Sequence, residues 1–195
     1  MSCGIDFYAK GVRFRLTFGF LAVWAMILLQ SAFSDTAMAA LAACLLHELG
    51  HMGAMGLSGV KIRGLTFYSG GIRLKSESLA LRRTGTEVFI LAAGPFVNLL
   101  LAVISGALGF GIFAGVNISL MLFNLLPLSM LDGGRIMAAL LEHICPLKDI
   151  ASAQRITDIL FGGGMTVFFI LSGSAGFTLP LTMALMIAEG LWDTV

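Results

Sequence analysis

The sequence predicts an all-α membrane protein of about six transmembrane helices, with a short membrane-associated β-hairpin between the second and third. Three observations predict it. Residues of the AVILMFWYC set make up 58% of the chain and charged residues only 12%, with a mean hydropathy of +0.96, whereas a soluble domain is about half apolar and a quarter charged. A length of 195 residues accommodates roughly six spans of about 20 residues joined by short loops. The charges are also gathered rather than spread: Lys10, Arg13, Arg15, Lys61, Arg63, Arg73, Lys75, Arg82 and Arg83 lie in two short regions.

The elements follow in chain order. Residues 16–33 carry no charge and are too long a run for the hydrophobic region of a signal peptide, so they read as a retained first helix. Ser34-Asp35-Thr36 is a polar turn suited to capping a second helix over 37–57. Composition changes over 58–86, where β-favouring stretches at 62–68 and 72–74 flank Ser69-Gly70-Gly71 and read as a hairpin at the membrane surface. A third span covers 87–109 and a fourth 111–127; Pro127 and Gly133-Gly134 then interrupt the helix, which resumes over 135–144. Spans at 156–172 and 177–192 complete six. All of residues 1–195 form one polytopic domain, with a core over about 16–145 and additional helices over about 150–194.

Both basic regions fall on one side if the first two spans cross, and the positive-inside rule makes that side cytosolic. The N-terminus is therefore expected in the cytosol, and the expected location is a bacterial cytoplasmic membrane crossed several times. A net charge of +1 leaves no basic face for a phosphate backbone, which excludes nucleic acid as a partner. Cys3, Cys44 and Cys145 are scattered, with no CxxC pair and no disulfide framework.

Chemistry concentrates in His47-Glu48-Leu49-Gly50-His51. On a helix the i, i+4 spacing puts both imidazoles on one face, near enough to ligate one ion, while Glu48 is offset by a residue and suits a general base. The competing reading is a polar pair that packs helices together. Ionisable groups inside a span are costly without a partner, which favours metal binding. A third ligand is then needed. Asp132 sits in an interrupted span beside Gly133-Gly134, where irregular backbone is tolerated only if buried in protein or lining a cavity; it also suits a turn or a pair with Arg135. His143, near Glu142 and Lys148, reads better as interfacial. Cys44 as a fourth ligand would close the site, so a packing role suits it better, and Glu189 reads as an interfacial carboxylate near Trp192.

Three stretches in this order resemble one family: His47-Glu48-Leu49-Gly50-His51; Ala93-Gly94-Pro95-Phe96-Val97-Asn98; and Asn124-Leu125-Leu126-Pro127 followed by Leu131-Asp132-Gly133-Gly134. Together they are similar to the intramembrane zinc metalloproteases of the site-2 protease family, in the minimal form without a PDZ or CBS domain that resembles the branch processing sporulation sigma-factor precursors. The resemblance implies that His47, His51 and Asp132 ligate Zn2+, that Glu48 activates the water, and that a peptide bond in or next to a substrate's transmembrane segment is hydrolysed. Asn124 matches the family asparagine that contacts substrate or the developing oxyanion, a role its amide donor fits; its alternative is an interhelical hydrogen bond. Gly94, Pro95 and Asn98 match a helix-packing motif. Implied partners are a membrane-protein substrate, the lipid bilayer and a regulator of unspecified kind.

Two other functions use the same residues: a metal-ion transporter, for which Glu48 as a base has no purpose and no inverted repeat is evident, and a catalytically silent membrane adaptor keeping zinc for structure. A His2Asp set also accepts iron or cobalt. The hairpin edge is suited to adding substrate as an extended strand. Crosslinkers at positions 66–74 are then expected to capture substrate, and a lack of capture favours a simple interfacial anchor.

Overall fold

The N-terminal tail alternates apolar with polar residues at a period of two, and it pairs as strands rather than leading directly into a helix. The computed structural model describes residues 4–9, 11–22, 25, 35–60, 62–68, 71–76, 84–144, 150–164 and 167. Strands β1 (Gly4–Ala9) and β2 (Val12–Thr17) form an antiparallel hairpin. Phe7 and Phe14 face each other across it with stacked rings 5.1 Å apart. Asp6 is gripped by Arg13 at 2.8 Å and Arg15 at 3.2 Å, and the hydrogen bond from Arg13 holds its carboxyl below the usual range.

The first helix was expected from residue 16, but the strand runs on to Thr17 and helical backbone starts at 18–22. The Thr17 hydroxyl accepts the Phe20 N–H at 3.3 Å, capping that turn. Residues 26–34 lie outside the described residues.

Helix α1 (Asp35–Leu57) is followed by β3 (Ile62–Tyr68) and β4 (Gly71–Ser76), the hairpin expected from the Ser69-Gly70-Gly71 break. The four strands form one sheet in the order β1-β2-β3-β4, with β2 and β3 parallel. Helices α2 (Thr84–Ala107), α3 (Gly111–Asn124), α4 (Asp132–Ile144) and α5 (Ile150–Thr157) follow, and α5 runs into a π-helical turn over Asp158–Gly163. The remainder of the expected fifth span and all of the sixth lie outside the described residues.

Gly59 and Gly109 end α1 and α2 with positive φ (64° and 84°), where a side chain would be strained. Each is followed by an N–H that reaches back five residues, Val60 to Met55 at 2.9 Å and Phe110 to Ser105 at 2.8 Å, closing the helix end.

The fourth span breaks earlier than Pro127. Helix α3 stops at Asn124, because proline disfavours helical backbone in the residue before it and brings no N–H of its own. The loop 125–131 then folds back, burying Leu128, Met130 and Leu131 against Phe123 and Leu126. Gly133 and Gly134 lie inside the first turn of α4 rather than in the break. A Cβ on either would overlap the loop backbone at Leu125 or Leu128.

A second cluster, Ala54, Met55, Val60, Leu65 and Ile90 with Phe14, Phe67 and Ala93 packed on it, ties the sheet to the end of α1 and the start of α2. Helix α2 packs on α1, α3 and α4. Elsewhere the usual distribution of polarity is reversed. Phe96, Leu99, Leu100 and Val103 of α2 and Ile118 and Leu122 of α3 face outward, while Asn98 and Asn117 are fully buried. Among the described residues, α1 with 23 residues and α2 with 24 are long and apolar enough to cross a membrane, spanning about 34 and 36 Å at about 1.5 Å per residue against a hydrocarbon core of about 30 Å.

The crossing of α1 and α2 depends on Gly50, where a Cβ would lie 2.9 Å from the Ala93 carbonyl oxygen and 2.8 Å from Val97 Cγ2. Gly50→Ala is expected to destabilise the protein by about 1–3 kcal/mol, measured as a lower thermal unfolding midpoint in detergent.

Candidate metal centre

Helical spacing alone brings His47 and His51 to one face of α1, and both are buried, 4% and 5% exposed. Their rings stand nearly perpendicular, at 83°, with centroids 4.8 Å apart, and the two Nε2 atoms are 3.1 Å from each other. The third member comes from far along the chain. Asp132, the first residue of α4, is buried and places Oδ2 3.1 Å from both Nε2 atoms. No other described group of three or more His, Cys, Asp or Glu side chains is arranged to hold a metal ion.

The hydrogen bond on the far side of His51 defines what this triangle can bind. His51 Nδ1 donates to the Ile90 carbonyl oxygen of α2 at 2.7 Å, so in the neutral ring Nε2 carries a lone pair. That lone pair points at a carboxylate oxygen, an unfavourable arrangement unless a positive charge lies between them. A triangle with 3.1 Å sides puts all three donors within reach of one cation at the roughly 2.0–2.2 Å typical of zinc to His and Asp. Three protein donors leave a coordination position open, as a hydrolytic site requires. The donor set and its compactness therefore fit a divalent cation, and the Ile90 carbonyl is the orienting second partner that metal-bound histidines commonly have.

Helix α2 contributes by what it lacks. A Cβ at Gly94 would sit 2.7 Å from His47 Nε2 and Cε1, and nearer still to His51 Nε2. The motif read as helix packing thus forms one wall of the imidazole pair, and only a hydrogen at that position leaves room for both rings. Asn98, one turn further along α2, is fully buried with neither amide atom hydrogen-bonded among the described residues, and His47 Nδ1 is likewise buried without a partner.

Glu48 is partly buried at the adjoining position of α1, with Oε2 enclosed. Asn124 closes α3, and its Nδ2 donates to the Leu120 carbonyl at 3.0 Å, which occupies one of its two N–H groups. His143 is exposed in the last turn of α4, outside the cluster. Cys44 is a free thiol on an apolar cleft between α1 and α3 with Ala40, Gly115, Ser119 and Phe123; it is not in the cluster. Glu189 lies outside the described residues. The Ile90 carbonyl was not foreseen, since backbone acceptors leave no mark in a residue pattern.

Because Gly94 determines whether the two rings can share an ion, Gly94→Ala is expected to weaken divalent-cation binding by about tenfold or more. Competition with a chelating dye in detergent measures it.

Comparison with known proteins gives the family of this chain. Residues 36–113 and 107–171 match Peptidase family M50. A Synechocystis sp. protein named "Putative zinc metalloprotease sll0528" is 31% identical over 158 residues, covering 72% of this chain, and the chain spans 39% of that relative's length. The solved site-2 protease from Methanocaldococcus jannaschii shares the fold, with a TM-score of 0.75 over 96% of this chain and 94% of that one at 21% identity. With its family pattern matched across the helices that build the centre, the chain belongs to peptidase family M50.

Proposed function

We propose that this protein is a multi-pass intramembrane zinc metalloprotease that hydrolyses a peptide bond in or next to a substrate's transmembrane segment. The observation that carries the reading is the buried triangle of His47 Nε2, His51 Nε2 and Asp132 Oδ2, with 3.1 Å sides, next to Glu48. These three atoms would hold the zinc. When bound, zinc supplies a Lewis acid that polarises the scissile carbonyl and makes water acidic near neutral pH.

Glu48 then acts as the base. Its carboxylate takes a proton from the attacking water as the oxygen bonds to the carbonyl carbon, and it returns that proton to the nitrogen as the C–N bond breaks. Asn124 has an N–H not engaged with Leu120 and is assigned to the substrate carbonyl or the oxyanion that develops from it.

A peptide bond inside a helix is shielded by its own hydrogen bonds, so the substrate must unwind before water can attack. Strand β4 lies at an edge of the sheet, and an extended segment added there would be held unwound by main-chain hydrogen bonds. The apolar exterior of α1, α2 and α3 supports a bilayer as the solvent of these helices. Hydropathy supports the six-span arrangement and the clustering of basic residues supports a cytosolic N-terminus; the membrane assigned is the bacterial cytoplasmic one.

Replacing Glu48 with Gln removes the base while leaving the three donors in place. Zinc content is expected to stay at the wild-type level, and cleavage of single-span substrates to fall by about 10²–10⁴-fold. Metal analysis and a cleavage assay on the same detergent preparation test this. Retained cleavage contradicts the assignment, and continued ion movement across vesicles by the variant favours a transporter.

A further inference from the structure

Helix α5 and the turn after it present two polar side chains, Gln154 and Asp158, one helical turn apart against the joint between the 125–131 loop and α4. Asp158 accepts two hydrogen bonds from one residue. The Ser129 backbone N–H donates to Oδ1 at 2.8 Å and the Ser129 hydroxyl to Oδ2 at 2.6 Å. Gln154 Nε2 donates to the Gly134 carbonyl at 3.5 Å, a weaker contact on the other side of the joint. Ser129 and Gly134 bracket Asp132 in the chain.

The rest of the joint is tight. Leu131 N–H bonds to the Leu128 carbonyl at 2.9 Å and Arg135 N–H to the Leu131 carbonyl at 3.1 Å. Leu128, Met130 and Leu131 are buried on the inner side, and a Cβ on Gly134 would come within 2.9 Å of the Ser129 nitrogen. Ser129 is thus the outward-turned residue of the loop's last stretch, and its N–H is satisfied by Asp158. Two hydrogen bonds to one carboxylate fix direction as well as distance. This carboxylate also opens a π-helical turn, a form that recurs at functional sites.

We propose that Asp158 is a positioning residue which, by clamping Ser129, holds the Asp132 carboxylate against the two imidazoles, so that the C-terminal helical region determines how tightly the centre holds its metal. The proposal rests on the metal reading given under the proposed function.

The test is zinc affinity of the purified full chain in detergent, by competition with a chelating dye, alongside thermal unfolding of the zinc-free protein. Asp158→Ala is expected to weaken zinc binding by about tenfold, the low end of what losing a direct partner of a metal ligand costs, because Asp158 acts on Asp132 only through Ser129. Asp158→Asn is nearly isosteric and keeps one acceptor for the Ser129 N–H, so its loss is smaller but measurable. Thr157→Ala, which removes only the exposed bond to the Ala153 carbonyl, leaves affinity unchanged. If Asp158→Ala does not fold, Asp158→Asn decides. Wild-type affinity in folded Asp158→Asn overturns the proposal, as does an equal loss in Thr157→Ala. Failure of the wild type itself to take up zinc overturns the underlying metal reading instead.

Discussion

Two imidazole nitrogens and a carboxylate oxygen, each 3.1 Å from the others in a buried pocket, constrain most of what surrounds them. Without a cation or an added proton, the His51 Nε2 lone pair would face the Asp132 carboxylate in a medium that screens poorly. Helix α1 supplies two corners of the triangle from a single face, and α4 supplies the third from its first turn. Helix α2 makes this possible twice over: it offers the Ile90 carbonyl to fix one ring, and it withholds a side chain at Gly94 so that both rings fit. The centre is therefore a property of three helices packed at close range, and the small residues along the α1–α2 contact are what allow that range.

How far the site can be read from the sequence depends on the distance over which each signal acts. The two histidines announce themselves because a helix repeats every 3.6 residues, so four positions apart means one face. Asp132 is visible for a different reason: an acid beside Pro127 and Gly133-Gly134 in an otherwise apolar run marks backbone that must be enclosed. Contacts between separately packed segments are another matter. Nothing in the spacing of Ser129 and Asp158 shows that they meet, and Gly94 reads as generic packing until the rings it faces are known. Their significance is created by tertiary proximity.

The strands divide along the same line. The second hairpin is legible from its glycine break and β-branched residues. In the first, residues 4–17 alternate Phe7 with Asp6 and Phe14 with Arg13 and Arg15, but this pattern is short and adjoins a long apolar run whose signal dominates. Hydropathy averaged over a window merges Leu16 and Thr17 into that run. The strand forms because β3 provides a partner for β2 from more than forty residues further along the chain, an opportunity that local averaging does not register.

The parallel pairing of β2 with β3 has a topological corollary. An open four-stranded sheet cannot lie across a bilayer, because its edges would leave main-chain groups unpaired in the hydrocarbon, so its strands share one side. The chain leaving at Thr17 and the chain arriving at Ile62 therefore occupy the same compartment, and any traverses made between them come in even number. The parity holds whatever the charge count. It ties the tail and the second hairpin to a shared face by bonding alone, so adding or deleting a lysine in either one could not send them to opposite sides without first tearing the sheet apart.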